Sequence, residues 1–111
     1  AAATNVYYVS GYSTSGDMTE KAKKFLDAYK AKYNEEPSMF SALAYDSVYM
    51  VAEAAKGAKT SVDIKDNLAK LKDFEGVTGS ITMDKDHNPV KSALMLGLKD
   101  GKVATVETVK P

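Results

Sequence analysis

The sequence contains no cysteine, which excludes disulfides, thiolate zinc sites and cysteine nucleophiles together. It has no excess of either charge: fifteen basic residues balance fifteen acidic ones. Without a basic stripe there is no electrostatic footprint for nucleic acid, and without a basic amphipathic helix there is none for a membrane surface. No apolar run approaches the roughly 20 residues that span a bilayer. Ala1-Ala2-Ala3-Thr4-Asn5 has neither the basic nor the apolar region of a signal peptide. It reads as the end of a helix or loop from something longer; if the protein is exported, its signal is expected upstream of it. One histidine occurs, His87, in a charged turn. A catalytic base needs a nucleophile and an orienting carboxylate beside it. His87 shows neither, so solvent exposure is expected.

What is present suits one modest globular core: 111 residues, 44% hydrophobic and 27% charged. Val6-Tyr7-Tyr8-Val9 is a β-branched and aromatic run that reads as a strand, followed by a Ser/Thr/Gly-rich loop to Gly16. Asp17 is the expected N-cap of a helix, with Glu20 completing a capping pair. Ala22, Phe25, Leu26, Tyr29 and Tyr33 then form one apolar stripe and leave the lysines to solvent. Pro37 is expected to end this helix. A second helix is expected to start near Ser38 to Ser41, with Phe40, Leu43, Ala44, Val48, Val51, Ala52 and Ala55 as its apolar face and Gly57 closing it. Thr60 and Asp63 cap a third, shorter helix carrying Ile64, Leu68 and Leu71.

From Phe74 the pattern changes. Val77 to Met83 reads as a strand, and Ser92 to Leu98 as a buried one. Asp100-Gly101 separates the latter from Val103 to Val106, the strongest short-range hairpin signal. The order is an unbalanced α/β layout: three amphipathic helices need a sheet, and one strand plus a terminal hairpin is too little of one. Part of the partner surface is therefore expected outside these residues.

Candidate chemistry is sparse. Asp84-Lys85-Asp86-His87-Asn88 places oxygen ligands at alternate positions, like the start of a calcium loop. The sixth position, glycine in such loops, is Pro89, and the twelfth, a bidentate glutamate, is Met95. A solvated turn is expected instead, and no metal site. Gly76-Val77-Thr78-Gly79 lacks the phosphate-loop pattern and reads as a turn into a strand. Glu35, Glu36, Asp73 and Glu75 lie in polar connections, where nothing desolvates one of them for acid–base work. Phe40 and Tyr45 flank an apolar run at the start of the second helix, as walls of a ligand cleft or as core. Asp46 beside them needs hydrogen-bond partners if buried; it is a hinge or cleft residue, or part of a satisfied cap.

Several segments, taken in order, resemble one family. Val6 to Tyr12 resembles the crossover segment after the last helix of the second lobe in type I periplasmic binding proteins. Phe25 to Pro37 resembles that family's aromatic-spaced helix and its exit, and Ala44-Tyr45-Asp46-Ser47 its next helix. Phe74 to Asp84 resembles its F-x-G-V-T-G-x-I-x-F-D segment, and Lys99-Asp100-Gly101-Lys102 its terminal hairpin. The ordered set is most similar to the branched-chain amino-acid (Leu/Ile/Val) subgroup.

The resemblance implies an α/β fold, part of a Rossmann-like three-layer αβα architecture ending in a β-hairpin. Residues 1–16 would be a crossover strand and loop, 17–73 three helices of the first lobe, and 74–111 the terminal strands and hairpin. It implies the substrate-binding component of an ABC transporter, which closes on a small amino acid and delivers it to a membrane permease. No catalytic residue and no cofactor are implied. The expected location is extracytoplasmic, either periplasmic or lipid-anchored at a Gram-positive surface. Phe40 occupies the place of an aromatic that contacts the ligand side chain, and Tyr45 is a second ligand-binding candidate. The chain departs from the family in being only part of a receptor, so it is expected to self-associate or to pair with the rest of its parent. Other readings are a sensory domain of the same fold for another solute, a small α/β interaction module, and a small α/β enzyme. The last would need a convergent set of polar groups, which the sequence does not show.

Overall fold

The computed structural model describes residues 3–111, so the reading of the first residues as the end of a helix or loop lies, for Ala1 and Ala2, outside the described residues. Strand β1 (Val6–Ser10) comes first. Three helices follow: α1 (Glu20–Tyr33), α2 (Met39–Ala55) and α3 (Ser61–Ala69). Then come five strands: β2 (Phe74–Gly76), β3 (Gly79–Met83), β4 (Pro89–Val90), β5 (Ala93–Lys99) and β6 (Lys102–Val109). They make two three-stranded sheets, ordered β1-β5-β6 and β2-β3-β4. Every pairing is antiparallel.

Local chemistry accounts for most boundaries. α1 starts two residues later than expected: its N-cap is Thr19, not Asp17. Thr19 holds an extended backbone (ψ 157°) and its hydroxyl accepts from the Ala22 N–H at 3.2 Å. Glu20 is then the first helical residue, near the positive end of the helix dipole, rather than a capping-box partner. Asn34 ends α1 in the left-handed region, φ 55°, with its N–H on the Lys30 carbonyl. Ser38 caps α2 by accepting from Ser41 N–H. α3 has the expected capping box: Thr60 Oγ1 accepts from Asp63 N–H at 3.2 Å, and Asp63 Oδ2 accepts from Thr60 N–H at 2.9 Å. Asp100 and Gly101 both have positive φ, 51° and 77°, the geometry of a type I′ hairpin between β5 and β6.

The expected strand Val77 to Met83 begins at Gly79 as β3, after the turn that Gly76 to Gly79 was expected to make. Gly76 pairs with Gly79, so Val77 and Thr78 form the two-residue connection of the β2–β3 hairpin. Their N–H groups do not enter the ladder because both donate to the Asp46 carboxylate. The packing of α2 also differs from expectation. Its buried stripe is Ala42, Asp46 and Ala54. Those residues face α3 and the β2–β3 hairpin, the two elements α2 touches most. The broad apolar face is open: Phe40 is 74% exposed and Val48 68%. Among the described residues no sheet packs extensively on α2 beyond the short β2.

The buried cluster is small. Tyr12, Phe25, Ala42 and Val77 form it, with Met18, Tyr29 and Met39 packed alongside. It sits among the loop after β1, α1, the start of α2 and the β2–β3 turn. The most extensive packing pairs β1 with β5, β5 with β6, α2 with α3, and the short sheet with itself and α2; the β1-β5-β6 sheet meets the helices more sparsely, as where Ser10 of β1 lies 3.5 Å from the Met39 sulfur of α2. The radius of gyration is accordingly 16.1 Å, against about 13 Å for a compact domain of this length.

Candidate functional site

The β1-β5-β6 sheet is connected to the rest of the chain by two segments only. One is the loop from Gly11 to Thr19, leading to α1; the other is Lys91-Ser92, between β4 and β5. The two connections meet at the start of α2. Gly11 N–H donates to the Met39 sulfur at 3.2 Å, and the Ser10 hydroxyl, which donates to the Tyr12 carbonyl at 2.7 Å, lies 3.5 Å from the same sulfur. A methyl group placed on Gly11 would lie 3.6 Å from that sulfur and 3.8 Å from Lys91 Nζ.

Beneath this junction is a buried polar relay. Asp46 is 2% exposed. Its Oδ1 accepts from Val77 N–H at 2.7 Å; its Oδ2 accepts from Thr78 N–H at 2.9 Å and from the Thr78 hydroxyl at 2.6 Å. The Thr78 oxygen in turn accepts from the Lys91 ammonium at 2.7 Å. Burial depresses the pKa of Lys91, and the Asp46 carboxylate opposes that shift. A carboxylate in so dry a place needs this set of donors. Gly76 is required beside it: a Cβ there would collide with Oδ2 and come within 2.6 Å of the carboxylate carbon.

Above the relay opens a cavity of about 310 Å³, bordered by Tyr12, Met18, Thr78, Ser92, Leu94 and Val106. Ser13, Ser15, Thr19 and Thr108 also line it, and Asp17 is its one acidic residue. Such a wall offers hydrogen bonds to a small polar molecule; it pairs no nucleophile with a base. Tyr12 is 6% exposed and its hydroxyl is buried without a protein partner. Burial, and then the charge of Glu36, push its pKa up. Glu36 clips the loop to the end of α1: it receives Thr14 Oγ1 at 3.0 Å and pairs with Lys30 at 2.7 Å. Those contacts, Lys30 first, hold its pKa down.

A second, more open groove of about 870 Å³ runs between α1 and α2. A chain of rings lines it. Phe25 lies 5.8 Å from Tyr29 and 4.8 Å from Tyr45, Tyr29 lies 4.6 Å from Tyr33, and Tyr45 lies 4.7 Å from Tyr49. Lys21, Lys24 and Lys32 rim it.

The two candidate ligand-binding residues are not brought together. Tyr45, 37% exposed, is in the aromatic groove. Phe40 stands in the first turn of α2, outside both cavities, next to the Met39 that holds the loop. Five residues of helix separate them by about 140° of rotation. Asp46 has partners, as its burial requires, and they belong to a hairpin rather than a cap. His87 is an exposed turn residue at φ 66°. Asp84 spends one oxygen on the N–H groups of Asp86 and Asn88, which closes that turn on itself. No group of three metal-ligating side chains exists among the described residues. Thr78, legible only as part of a turn, and Lys91 carry no sign of this role in the sequence. Each is an ordinary residue locally, and only Asp46 within an apolar run hinted at their presence.

Comparison with known proteins places this geometry. The family model described as periplasmic binding protein matches residues 1–102. The branched-chain amino acid transporter substrate binding protein LivJ of Streptococcus pneumoniae, solved with isoleucine, is 64% identical over 97% of this chain and superposes with a TM-score of 0.87. The leucine binding protein LivK of Thermotoga maritima is 28% identical over 99% of the chain, TM-score 0.82. A solute binding protein of an R. palustris ABC transporter, solved with benzoate, shares the fold at 20% identity over 99% of the chain, TM-score 0.77. This chain covers 31%, 32% and 32% of those three chains, so it spans about a third of the solved relatives it matches.

Proposed function

We propose a function from one premise: this chain belongs to the periplasmic binding protein family. Its fold is that of the type I members, of which it supplies a part. In the receptor that contains it, the proposed role is capture of a branched-chain amino acid outside the cytoplasm and delivery to an ABC-transporter permease. The observation that carries this reading is the 64% identity, across 97% of the chain, to a receptor solved with isoleucine. The role is non-covalent binding, not catalysis.

We read the β1-β5-β6 sheet as belonging to one lobe, and the helices with β2, β3 and β4 as belonging to the other. Support comes from the sparse packing between the two sets and from the fact that two connections alone join them. Closure of such lobes around a ligand is a hinge motion. Phe40 is the candidate for contact with the ligand side chain, supported by its exposure beside the loop that joins the lobes. Tyr45, stacked between Phe25 and Tyr49, is the second candidate.

Thermal melting of the full receptor with added isoleucine, leucine or valine tests the reading. A ligand that binds only the folded state at 100 times its Kd stabilises it by about 2.7 kcal/mol, a clear rise in Tm. No shift with any of the three amino acids would refute the proposed ligand class.

A further inference from the structure

Two connections join the β1-β5-β6 sheet to the rest of the chain, and one of them is only two residues long. Lys91, the first of these two, is half-buried, and its ammonium reaches back to Thr78 Oγ1 at 2.7 Å. Thr78 is held in turn by Asp46 on α2, through both its N–H and its hydroxyl. Asp46 is fixed on the buried stripe of α2, and Gly76 leaves room for its carboxylate. Ammonium, hydroxyl and carboxylate therefore form one continuous relay from the short connection into the helical part. Lys91 Nζ also stands beside Gly11, where the longer connection leaves β1. Ser92 follows with no such anchor: its side chain makes none of the hydrogen bonds found among the described residues and borders the cavity.

We infer that the Asp46–Thr78–Lys91 relay pins the short connection to the helical part, which places the pivot between the two parts at Ser92, and that Lys91 is thereby a positioning residue for closure on the ligand. This rests on the two-lobed receptor reading. Lys91 need not touch the ligand for the effect. A pinned connection restricts the ligand-free receptor to rotation about one point, so less conformational freedom remains to be lost when the lobes close. Without the pin, rotation spreads over Lys91 and Val90 as well. The ligand-free receptor then samples more arrangements, and closure on the ligand costs more.

The test uses the full receptor with Lys91→Met, Thr78→Val, their combination, and Thr78→Ser, which keeps the hydroxyl. Spin labels on β6 and α1 report the spread of inter-lobe distances without ligand, and stopped-flow mixing with isoleucine reports association and dissociation. The expected result is a broader ligand-free distance distribution in Lys91→Met and Thr78→Val. Their isoleucine Kd should rise about tenfold, because closure then has more conformational freedom to remove. The double variant should be no worse than either single one, and Thr78→Ser close to the original. Lys91→Met with an unchanged distance distribution overturns the inference, whether or not its melting temperature falls. A receptor that binds none of isoleucine, leucine and valine refutes the ligand class instead, and the distance distributions still decide the pivot.

Discussion

Removing the Asp46 carboxylate should unfasten the β2–β3 turn from α2. Asp46→Ala leaves the N–H groups of Val77 and Thr78 without an acceptor in a place that is almost wholly buried. Each stranded donor costs about 1–3 kcal/mol. Relief from burying a charge offsets part of this, since a buried carboxylate carries a desolvation penalty of its own. A net loss of about 3 kcal/mol is expected, read as a fall in the free energy of urea unfolding of the receptor with an unchanged m-value. Gly76→Ala supplies the internal control. Its new methyl group would strike Asp46 Oδ2 and lie 2.6 and 2.8 Å from the other carboxylate atoms, so by itself it should destabilise by about 1–3 kcal/mol, as overpacking does. In an Asp46→Ala background the obstacle is gone, and the same substitution should cost much less. That non-additivity is the signature of direct contact. An Asp46→Ala receptor within about 0.5 kcal/mol of the original, or strictly additive costs, would refute the reasoning.

Three further outcomes follow from particular contacts. Thr60→Ala removes one half of the α3 capping box and should lower stability by about 1 kcal/mol, measured by the same urea titration, whereas Thr60→Ser should be nearly neutral. Glu36 has a folded pKa below its ordinary value because Lys30 and Thr14 bond its ionised form. Its contribution is therefore complete above the unfolded pKa and disappears as pH falls through the lower folded one. Glu36→Gln should flatten that acid limb of the stability profile. The 111-residue chain alone should associate, because Phe40, Val48 and Val51 leave an open apolar face on α2. Light scattering at high concentration should give a mass above the monomer, and Val48→Lys should reduce it.

What the sequence disclosed was local. The Asp100-Gly101 turn and the Thr60–Asp63 cap need only neighbouring residues to be recognised, and both were in place. Asp17 and Thr19 are both good caps two residues apart, and the bond from Ala22 N–H settled the matter in favour of the second. Val77 and Thr78 have strand-forming side chains, but an acceptor 31 residues away took the N–H of Val77 and made a turn of them. Periodicity marked an apolar face on α2 but cannot say what covers it; Phe40 and Val48 on that face are exposed, and the buried stripe is Ala42, Asp46 and Ala54. Lys91 carried no signal because its partner Thr78 lies 13 residues earlier and is itself held by α2. Phe40 was legible as an aromatic at a helix start, and the structure adds that it stands clear of both cavities.

The most direct test of the account is calorimetric titration of the full receptor containing this chain with isoleucine, leucine and valine, with the 111-residue chain titrated alongside. The account predicts one binding site per receptor for at least one of the three, weakened by Phe40→Ala. A folded receptor that gives no binding heat with any of them, while another class of small solute does bind, would contradict it.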